Sequence, residues 1–328
     1  MFESTWKTRG LCLLAPKPDE LELFEEFVEK ILAPGGCNLL VLLTRYRYQF
    51  RSHPECASPD GPLNEAQAKR ILDICRRHGI RLVPKMNLLG HQSGKTPDSR
   101  DGLLRAHPEL DETPHLDDVY YCRSLCPKHP GSAIVFDLMD EMAGAFEADG
   151  FHIGLDEVFD IGKCPRCKDT PTYRIFTDWA NALADRNRAA GRQTLMWGDR
   201  LLGGLETGLG FWEASGNFTE SAIDLIDRDI LVCDWHYEDK RAGGYASVDI
   251  FARAGLRMLA CPWKSKANAE KFLRYAKERD QGHVEGFLAT TWIPSGGVMR
   301  YMLHDYLPNT ASPEHAVPLR ETLEWLFR

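Results

Sequence analysis

The sequence predicts a (β/α)8 TIM barrel, the α/β fold in which eight parallel strands alternate with helices. Eight short apolar runs recur along the 328 residues, amphipathic segments separate them, and no linker or shift in composition divides the chain. A single domain over residues 1–328 is therefore expected. A doubly wound open sheet is the rival fold, but no glycine-rich phosphate-binding motif follows the first strands.

The eight apolar runs are the predicted strands. Each is too short for a typical helix and too continuously apolar for a half-exposed antiparallel strand, which is the pattern of buried parallel strands. In chain order they are GLCLLAP (10–16), CNLLVLL (37–43), RLVPKMNLL (81–89), FHIGLDEV (151–158), QTLMWGD (193–199), DILVCDW (229–235), RMLACPW (257–263) and EGFLATTW (285–292).

The segments between the runs have helical patterns. LNEAQAKRILDICRRHGI places Ala66, Ile71, Leu72 and Cys75 near helical spacing. SAIVFDLMDEMAGAFEADG and TPTYRIFTDWANALADRNRAAG each run to a glycine, as helices commonly do at their C-terminal ends. NAEKFLRYAKERDQG is expected to begin with Asn268 as its N-cap.

Composition and charge exclude several classes of function. Hydrophobic residues make up 43% and charged residues 27%, and the net charge is −8 without a basic stripe. Neither nucleic acid nor a membrane is therefore expected as a partner. The N-terminal segment has neither a signal-peptide pattern nor a transmembrane pattern, so a cytoplasmic location is expected. The ten cysteines are then expected to be mostly reduced.

The carboxyl ends of the predicted strands carry the polar and aromatic residues of a binding site, and active sites of this fold lie at those ends. Four of the eight tryptophans, Trp197, Trp235, Trp263 and Trp292, fall at the ends of four consecutive strands. Indole rings stack on the C–H faces of a pyranose, whose hydroxyls need polar partners. Carboxylates among aromatic walls are the groups that hydrolyse glycosides.

Asp156 and Glu157 lie side by side at the end of the fourth run. Residues two apart on a strand share a face, so His152 and Asp156 are expected to point into the barrel mouth. Glu157 can turn over the mouth because the strand is ending. Two neighbouring carboxylates push their pKa values apart, which lets one act as a general acid while the other stays ionised. The alternative is a helix cap or a solvated turn.

Several segments resemble glycoside hydrolase family 20, the β-N-acetylhexosaminidases. HIGLDE (152–157) resembles the H-x-G-x-D-E signature of the family, and LVPKMNLLGHQS (82–93) resembles its third-strand segment. SLCPKHPGSAIVFDLMDEMAGAF (124–146) resembles the helix before the acid pair, and MWGD (196–199) and TTW (290–292) resemble its later tryptophan segments. The resemblance spans most of the chain and is closest to compact bacterial members with only the catalytic barrel.

The resemblance implies a retaining mechanism without an enzyme nucleophile. Glu157 would protonate the glycosidic oxygen, and Asp156 would hold the 2-acetamido group of the substrate, whose oxygen attacks the anomeric carbon. Tyr237 is the candidate for a second group that holds the acetamide, or it only packs in its loop. His91 and His152 are expected to orient the acids through hydrogen bonds, with a buried structural histidine as the alternative.

The sequence departs from the family pattern at two places. An arginine that commonly follows the first strand and grips the sugar hydroxyls is missing, and Lys17 is the base nearby. The usual Pro-Glu of the third strand is replaced by Pro84 and Lys85. Arg45 or Arg47 could supply the missing grip, or either could be a solvated surface residue. Because of both departures, the sequence does not determine which sugar is bound.

Four cysteines follow the third and fourth strands, Cys122 and Cys126 after one and Cys164 and Cys167 after the other. Loops on one face of a barrel can bring all four together as a structural zinc site. Free thiols or a disulfide are the alternatives. The hydrolysis itself requires no cofactor.

The sequence thus predicts an exo-acting β-N-acetylhexosaminidase that acts on oligosaccharides or glycoconjugates containing amino sugars. Two alternatives remain open: a related glycosidase with another sugar preference, and a non-catalytic barrel that binds glycans.

Overall fold

A computed structural model describes residues 6–238, 244–308 and 312–327. Its centre is a closed barrel of eight parallel strands that pair in chain order, with the last strand beside the first. The predicted fold class is confirmed, and each of the eight predicted runs overlaps a strand. The strands are β1 Thr8–Leu14, β2 Leu39–Leu43, β3 Arg81–Lys85, β4 Gly150–His152, β5 Gln193–Trp197, β6 Leu231–Trp235, β7 Arg257–Cys261 and β8 Val284–Thr290.

Helices surround the barrel between the strands. The predicted helical segments form α2, α4, α5 and α8, and most strands are followed by at least one helix. In chain order the helices of the described ranges are α1 Leu21–Phe27, α2 Glu65–Arg77, α3 Gly102–Ala106, α4 Ile134–Ala145, α5 Thr172–Ala189, α6 Gly204–Thr207, α7 Ala246–Arg253, α8 Lys266–Glu278, α9 Ser295–His304 and α10 Pro313–Leu326. No helix in this part of the chain combines the length and apolar character needed to cross a bilayer.

One detail of the helix predictions was wrong. Ser265, not Asn268, is the N-cap of α8, and its side chain accepts a hydrogen bond from the Asn268 backbone N–H at 3.3 Å. Asn268 is instead fully buried, where its side chain donates to the carbonyl of His236. In α2, Ala66 is exposed and Ala68 takes the buried position of that turn.

The interior of the barrel is packed with side chains and is not a channel. Inward-facing residues of alternating positions form an apolar cluster inside the strands, separate from the larger cluster between strands and helices. Trp197 and Trp235 belong to this inner cluster and are the last residues of β5 and β6. The barrel interior therefore ends in two indole rings at the carboxyl face, which form part of the floor of a pocket described below.

Strand β4 ends earlier than the predicted run 151–158. The regular strand ends at His152, and the backbone then adopts positive φ angles of +75° at Gly154 and +70° at Leu155. A left-handed backbone cannot continue a strand, so the acid pair lies on the loop after β4. Asp156 and Glu157 are thereby released from the alternation of a strand.

Candidate active site

A cavity of about 650 Å³ opens at the carboxyl ends of the strands. It contains the predicted site residues with the exception of His152, which lies beneath it. Those that line the cavity are His91, Asp156, Glu157, Trp197, Trp235, Tyr237, Trp263 and Trp292. The structure thus brings together side chains from six strand ends that are widely separated in the sequence.

The backbone around the acid pair is strained. Glu157 has φ of +50°, a conformation that costs a non-glycine residue roughly 1–2 kcal/mol. Gly154 is required for two reasons. Its φ of +75° disfavours any residue with a side chain, and a Cβ there would lie 2.7 Å from Oδ1 and 2.8 Å from Cα of Asn87. Because Gly154 has no side chain, the loop after β3 can approach the acid pair closely.

His91 lies between the two acids. Its Nε2 is 3.1 Å from Oδ2 of Asp156 and 3.0 Å from Oε2 of Glu157. Burial disfavours the charged ring, but the Asp156 and Glu157 carboxylates outweigh burial and raise the pKa of His91 well above its usual value. The imidazolium therefore balances part of the negative charge of the pair.

Asp156 is held in its ionised form from two sides. Burial disfavours its carboxylate, but the charges of His91 and Lys85 outweigh burial and lower its pKa below the usual range. Asn87 donates a hydrogen bond from Nδ2 to Oδ1 of Asp156 at 2.9 Å. Asp156 therefore favours its ionised form, while the division of roles between the two acids stays a prediction.

Lys85 lies behind this arrangement at the end of β3. Its side chain is 1% exposed, and its ammonium donates to Oδ1 of Asn87 and lies 5.5 Å from the ring centre of Trp197. Desolvation lowers the pKa of Lys85, and the Asp156 carboxylate opposes that change. Lys85 and Asn87 were not among the predicted site residues, although Asn87 follows a strand and Lys85 stood out as a departure from the family pattern.

Asp199 fixes the backbone of the acid loop. Its Oδ2 accepts a hydrogen bond from the backbone N–H of Glu157 at 2.9 Å, and its Oδ1 accepts one from the indole of Trp235 at 3.3 Å. Burial raises the pKa of Asp199 to about 6, while the neighbouring Arg200 opposes the shift. The position of Asp199 at the end of the MWGD segment was the signal in the sequence that could have identified it.

Aromatic rings form one side of the cavity. Tyr237 packs against Trp235 with ring centres 4.8 Å apart and against Trp263 at 5.4 Å. The Tyr237 hydroxyl accepts a hydrogen bond from the indole N–H of Trp292 at 3.0 Å. Trp292 in turn lies 5.9 Å from Trp197. The predicted aromatic wall is therefore continuous, and it carries the Tyr237 hydroxyl in the same cavity as the acids.

His152 occupies a different place from His91. It is fully buried under Trp197, with ring centres 4.7 Å apart, and its Nδ1 accepts the backbone N–H of Gly154 at 3.1 Å. Burial and the charge of Lys85 lower the pKa of His152 well below its usual value. It supports the floor and the turn before the acids, whereas the expected contact with the acids is made by His91.

Of the three bases considered for the missing grip, only Arg45 lines the cavity. It follows β2 with φ of +50°. Arg47 turns away and lies 3.8 Å from the carboxylate of Asp60, and Lys17 is exposed outside the cavity.

The cysteine prediction needs one correction. Cys126, Cys164 and Cys167 lie together, but the fourth member of the cluster is Glu112 and not Cys122. Cys122 instead lines the cavity and contacts the ring of His91. Cys122 and Cys126 therefore have different surroundings: Cys122 lines the cavity, and Cys126 belongs to the cluster outside it.

An exposed aromatic cluster continues outward from the cavity and was not predicted. Tyr121 lines the cavity and packs edge-on against Trp212, with ring centres 4.9 Å apart. Tyr120 and Phe211 extend the cluster, and Phe159 stacks on Phe211 at 4.5 Å. Trp212 is 41% exposed. The loops after β3, β4 and β5 thus present aromatic surface at the rim.

Comparisons with known proteins agree on one family. The model of the catalytic domain of glycosyl hydrolase family 20 matches residues 43–295. The beta-hexosaminidase of Vibrio furnissii is 22% identical over 179 residues, which cover 53% of this chain and 27% of that protein.

Solved structures share the fold. The chitobiase of Flavobacterium johnsoniae superposes with a TM-score of 0.65 at 18% identity, over 98% of this chain and 51% of that one. A beta-N-acetylhexosaminidase of Bacteroides fragilis gives a TM-score of 0.65 at 12% identity, over 98% and 71%. The chain thus spans about half the length of the chitobiase and matches about a quarter of the Vibrio protein.

Proposed function

Because the chain belongs to glycosyl hydrolase family 20, we propose that it is an exo-acting β-N-acetylhexosaminidase, a retaining enzyme that removes terminal β-linked N-acetylhexosamine. The observation that carries the proposal is the shared histidine, whose Nε2 lies 3.1 Å from Asp156 and 3.0 Å from Glu157. Both acids therefore approach the cavity from one side. An enzyme nucleophile and an acid would instead flank the anomeric carbon from opposite faces.

The reaction follows from these positions. Glu157 donates a proton to the glycosidic oxygen as the bond to the anomeric carbon breaks. The acetamide oxygen of the substrate forms a bond to that carbon and gives a cyclic oxazolinium ion. Water then attacks the same carbon, gives its proton to Glu157 and reopens the ring with the β configuration retained.

Asp156 and Tyr237 have supporting roles in this proposal. The ionised Asp156 accepts the acetamide N–H and stabilises the positive charge that develops on the oxazolinium ring. The Tyr237 hydroxyl accepts the indole N–H of Trp292, and in this proposal it donates its own hydrogen to the acetamide oxygen. The pyranose stacks on the aromatic wall. No step requires a metal or a cofactor.

The sugar preference rests on residues that depart from the family pattern. Of the three bases considered, Arg45 is the one that lines the cavity, and we assign to it the binding of the sugar hydroxyls. The same observation favours the alternative, a glycosidase with another sugar preference. An arginine on the loop after β2 would contact the sugar from a different direction than an arginine after the first strand. Arg45→Gln should raise KM for the preferred sugar more than it lowers kcat.

A panel of nitrophenyl β-glycosides with and without a 2-acetamido group tests the proposal. Cleavage should require the acetamido group, and Glu157→Gln should lower kcat by about 10²–10⁴-fold, the usual contribution of a general acid. Glu65→Gln, a change of an exposed acid at the start of α2, is the matched control. Full activity of Glu157→Gln, or cleavage only of sugars without the acetamido group, would contradict the proposal.

A crystal soaked with a thiazoline analogue of N-acetylglucosamine tests the geometry. The sugar ring should stack on Trp292 or Trp235, the thiazoline nitrogen should lie within hydrogen-bond distance of Asp156, and Glu157 should face the anomeric position. Binding of N-acetylglucosamine without hydrolysis of any glycoside would favour the non-catalytic alternative.

A further inference from the structure

A compact cluster of metal-ligating side chains lies outside the cavity. Glu112, Cys126, Cys164 and Cys167 place one ligand atom each within 4.8 Å of one another, and all four residues are buried. The Sγ of Cys126 is 3.3 Å from that of Cys164 and 3.7 Å from that of Cys167. We call this group the Cys3Glu cluster.

Glu112 is the unusual member of the cluster. Its side chain is completely buried, and across the described ranges no lysine, arginine or histidine nitrogen lies within 4.0 Å of its carboxylate. One oxygen, Oε1, accepts backbone N–H groups of Lys163 and Cys164 at 2.8 and 3.2 Å. The other oxygen, Oε2, has no hydrogen-bond partner among the described residues. A buried carboxylate oxygen without a hydrogen-bond partner, beside three thiols, is a suitable ligand for a cation.

We propose that the Cys3Glu cluster binds one structural Zn²⁺. Three thiolates and one carboxylate oxygen complete a tetrahedron, so no position is left for water or substrate, as in closed structural sites. Zn–S bonds of about 2.3 Å at tetrahedral angles separate neighbouring sulfurs by roughly 3.8 Å. The sulfur distances of 3.3 and 3.7 Å are close to that value and need only a small expansion. Binding releases the protons of the three thiols to solvent.

The local backbone suits a metal. Cys164 and Cys167 are the two ends of a tight turn in which the backbone N–H groups of Cys167 and Lys168 donate to the carbonyl of Cys164 at 3.0 and 2.9 Å. The turn directs both sulfurs to the same side. Glu112 and Cys126 are brought to it by paired backbone between Asp111 and Leu125. Two separate loops therefore meet at the four ligand atoms.

The metal would fasten the loop that carries the acid pair to the loop after β3. The loop after β3 carries Tyr121 and Cys122 into the cavity, and the loop after β4 carries Glu157 seven residues before Cys164. Zinc acts here by positioning these loops and takes no part in hydrolysis. The inference goes beyond the proposed function and does not depend on it.

Metal analysis of the purified full chain tests the inference. Protein prepared in zinc-supplemented medium under reducing conditions should contain about one zinc per chain by inductively coupled plasma mass spectrometry. Cys126→Ser, Cys167→Ser and Glu112→Gln should each lose most of it. Cys75→Ser is the matched control, because Cys75 is a buried cysteine of α2 outside the cluster, and it should keep the zinc.

A second measurement guards against variants that fail to fold. The wild-type chain refolded with Co²⁺ in place of zinc should show the thiolate-to-cobalt absorption of a tetrahedral site, and a strong chelator should abolish that absorption and lower Tm. Alkylation of denatured, unreduced protein followed by mass spectrometry should find Cys126 and Cys164 as thiols.

The inference would be overturned by substoichiometric zinc in the wild-type chain, by a disulfide between Cys126 and Cys164, or by equal zinc in the cluster variants and in Cys75→Ser. Stoichiometric iron with an iron–sulfur spectrum would also overturn it. Zinc content is measured without substrate, so an inactive protein with one zinc leaves this inference standing and contradicts only the proposed hydrolysis.

Discussion

Replacing Asn87 with alanine should impair catalysis through Asp156. Asn87 donates to Oδ1 of Asp156 at 2.9 Å, and its own oxygen accepts the ammonium of Lys85. The amide is thereby fixed with its N–H group toward the acid. Without it, Asp156 can rotate away from the orientation in which it holds the acetamide group.

The size of the effect follows from the type of bond. A hydrogen bond to a charged group contributes about 1.5–3 kcal/mol. If that free energy is expressed in the transition state, kcat/KM for a 2-acetamido glycoside should fall about 10- to 150-fold, since each ~1.4 kcal/mol is a factor of ten. The stability of the fold should also fall, by about 1–3 kcal/mol, because buried Lys85 loses its acceptor.

A double variant separates the two effects. Lys85→Met removes the charge that needs an acceptor, so Lys85→Met with Asn87→Ala should recover part of the lost Tm while kcat/KM stays low. Asn38→Ala is the control, because Asn38 makes two hydrogen bonds beside β1 at the opposite end of the barrel, and it should change Tm alone. Wild-type kcat/KM in Asn87→Ala, or its return in the double variant, would refute the reasoning.

Three further predictions concern single residues. Gly154→Ala places a side chain at φ +75° and 2.7 Å from Oδ1 of Asn87, so it should lower the free energy of unfolding by at least about 1–2 kcal/mol. Urea unfolding would show this, with Gly144→Ala as a control in open space; equal stability of the two variants would contradict the prediction. Because the folded pKa of His91 is raised above 6.5, its contribution to stability is complete below pH 6.5 and is lost as pH rises through the raised pKa. The difference in Tm between wild type and His91→Asn should therefore narrow at alkaline pH, and a difference that widens there would reverse the assigned sign. Tyr237→Phe keeps the ring contacts but removes the hydroxyl, so kcat/KM should fall by up to about tenfold. Tm should fall slightly, because the Trp292 indole loses its acceptor. Unchanged kinetics would contradict the role assigned to the Tyr237 hydroxyl.

The strands could be predicted because burial on both faces leaves a direct record in the sequence. All eight runs were found from their apolar character, and the tryptophans at their ends identified the wall of the cavity. The end of β4 could not be found this way. Leu155 is buried but has φ of +70°, so an apolar residue that appeared to continue the strand belongs to the turn. Left-handed backbone at a non-glycine residue has no compositional signal.

The acid pair could be predicted from its motif, while the residues that hold it could not. Lys85 reaches Asn87 across the inner face of β3, and Asp199 reaches the backbone of Glu157 from the end of β5. These contacts depend on how far each loop folds over the mouth, which periodicity does not encode. Glu112 illustrates the same limit. It lies 14 residues before Cys126, in no recognisable ligand spacing, and only the paired loop backbone brings it to the cysteines.

The pairing of β1 with β8 has a consequence for the synthesis of the protein. Thr8 pairs with Gly286, and the guanidinium of Arg9 donates to the carbonyl of Leu326 at 2.7 Å. At roughly 5–20 residues per second of translation, the first strand waits about 10–60 s for its final neighbour. Through that interval its backbone edge is open to other chains or to chaperones.

The acid loop leaves the ribosome midway, but Trp292 follows only after the last strand, so an unfinished polypeptide should have no hydrolytic activity. Ribosome-bound chains that end before Trp292 and released chains of full length should differ sharply in turnover of a fluorogenic amino-sugar glycoside.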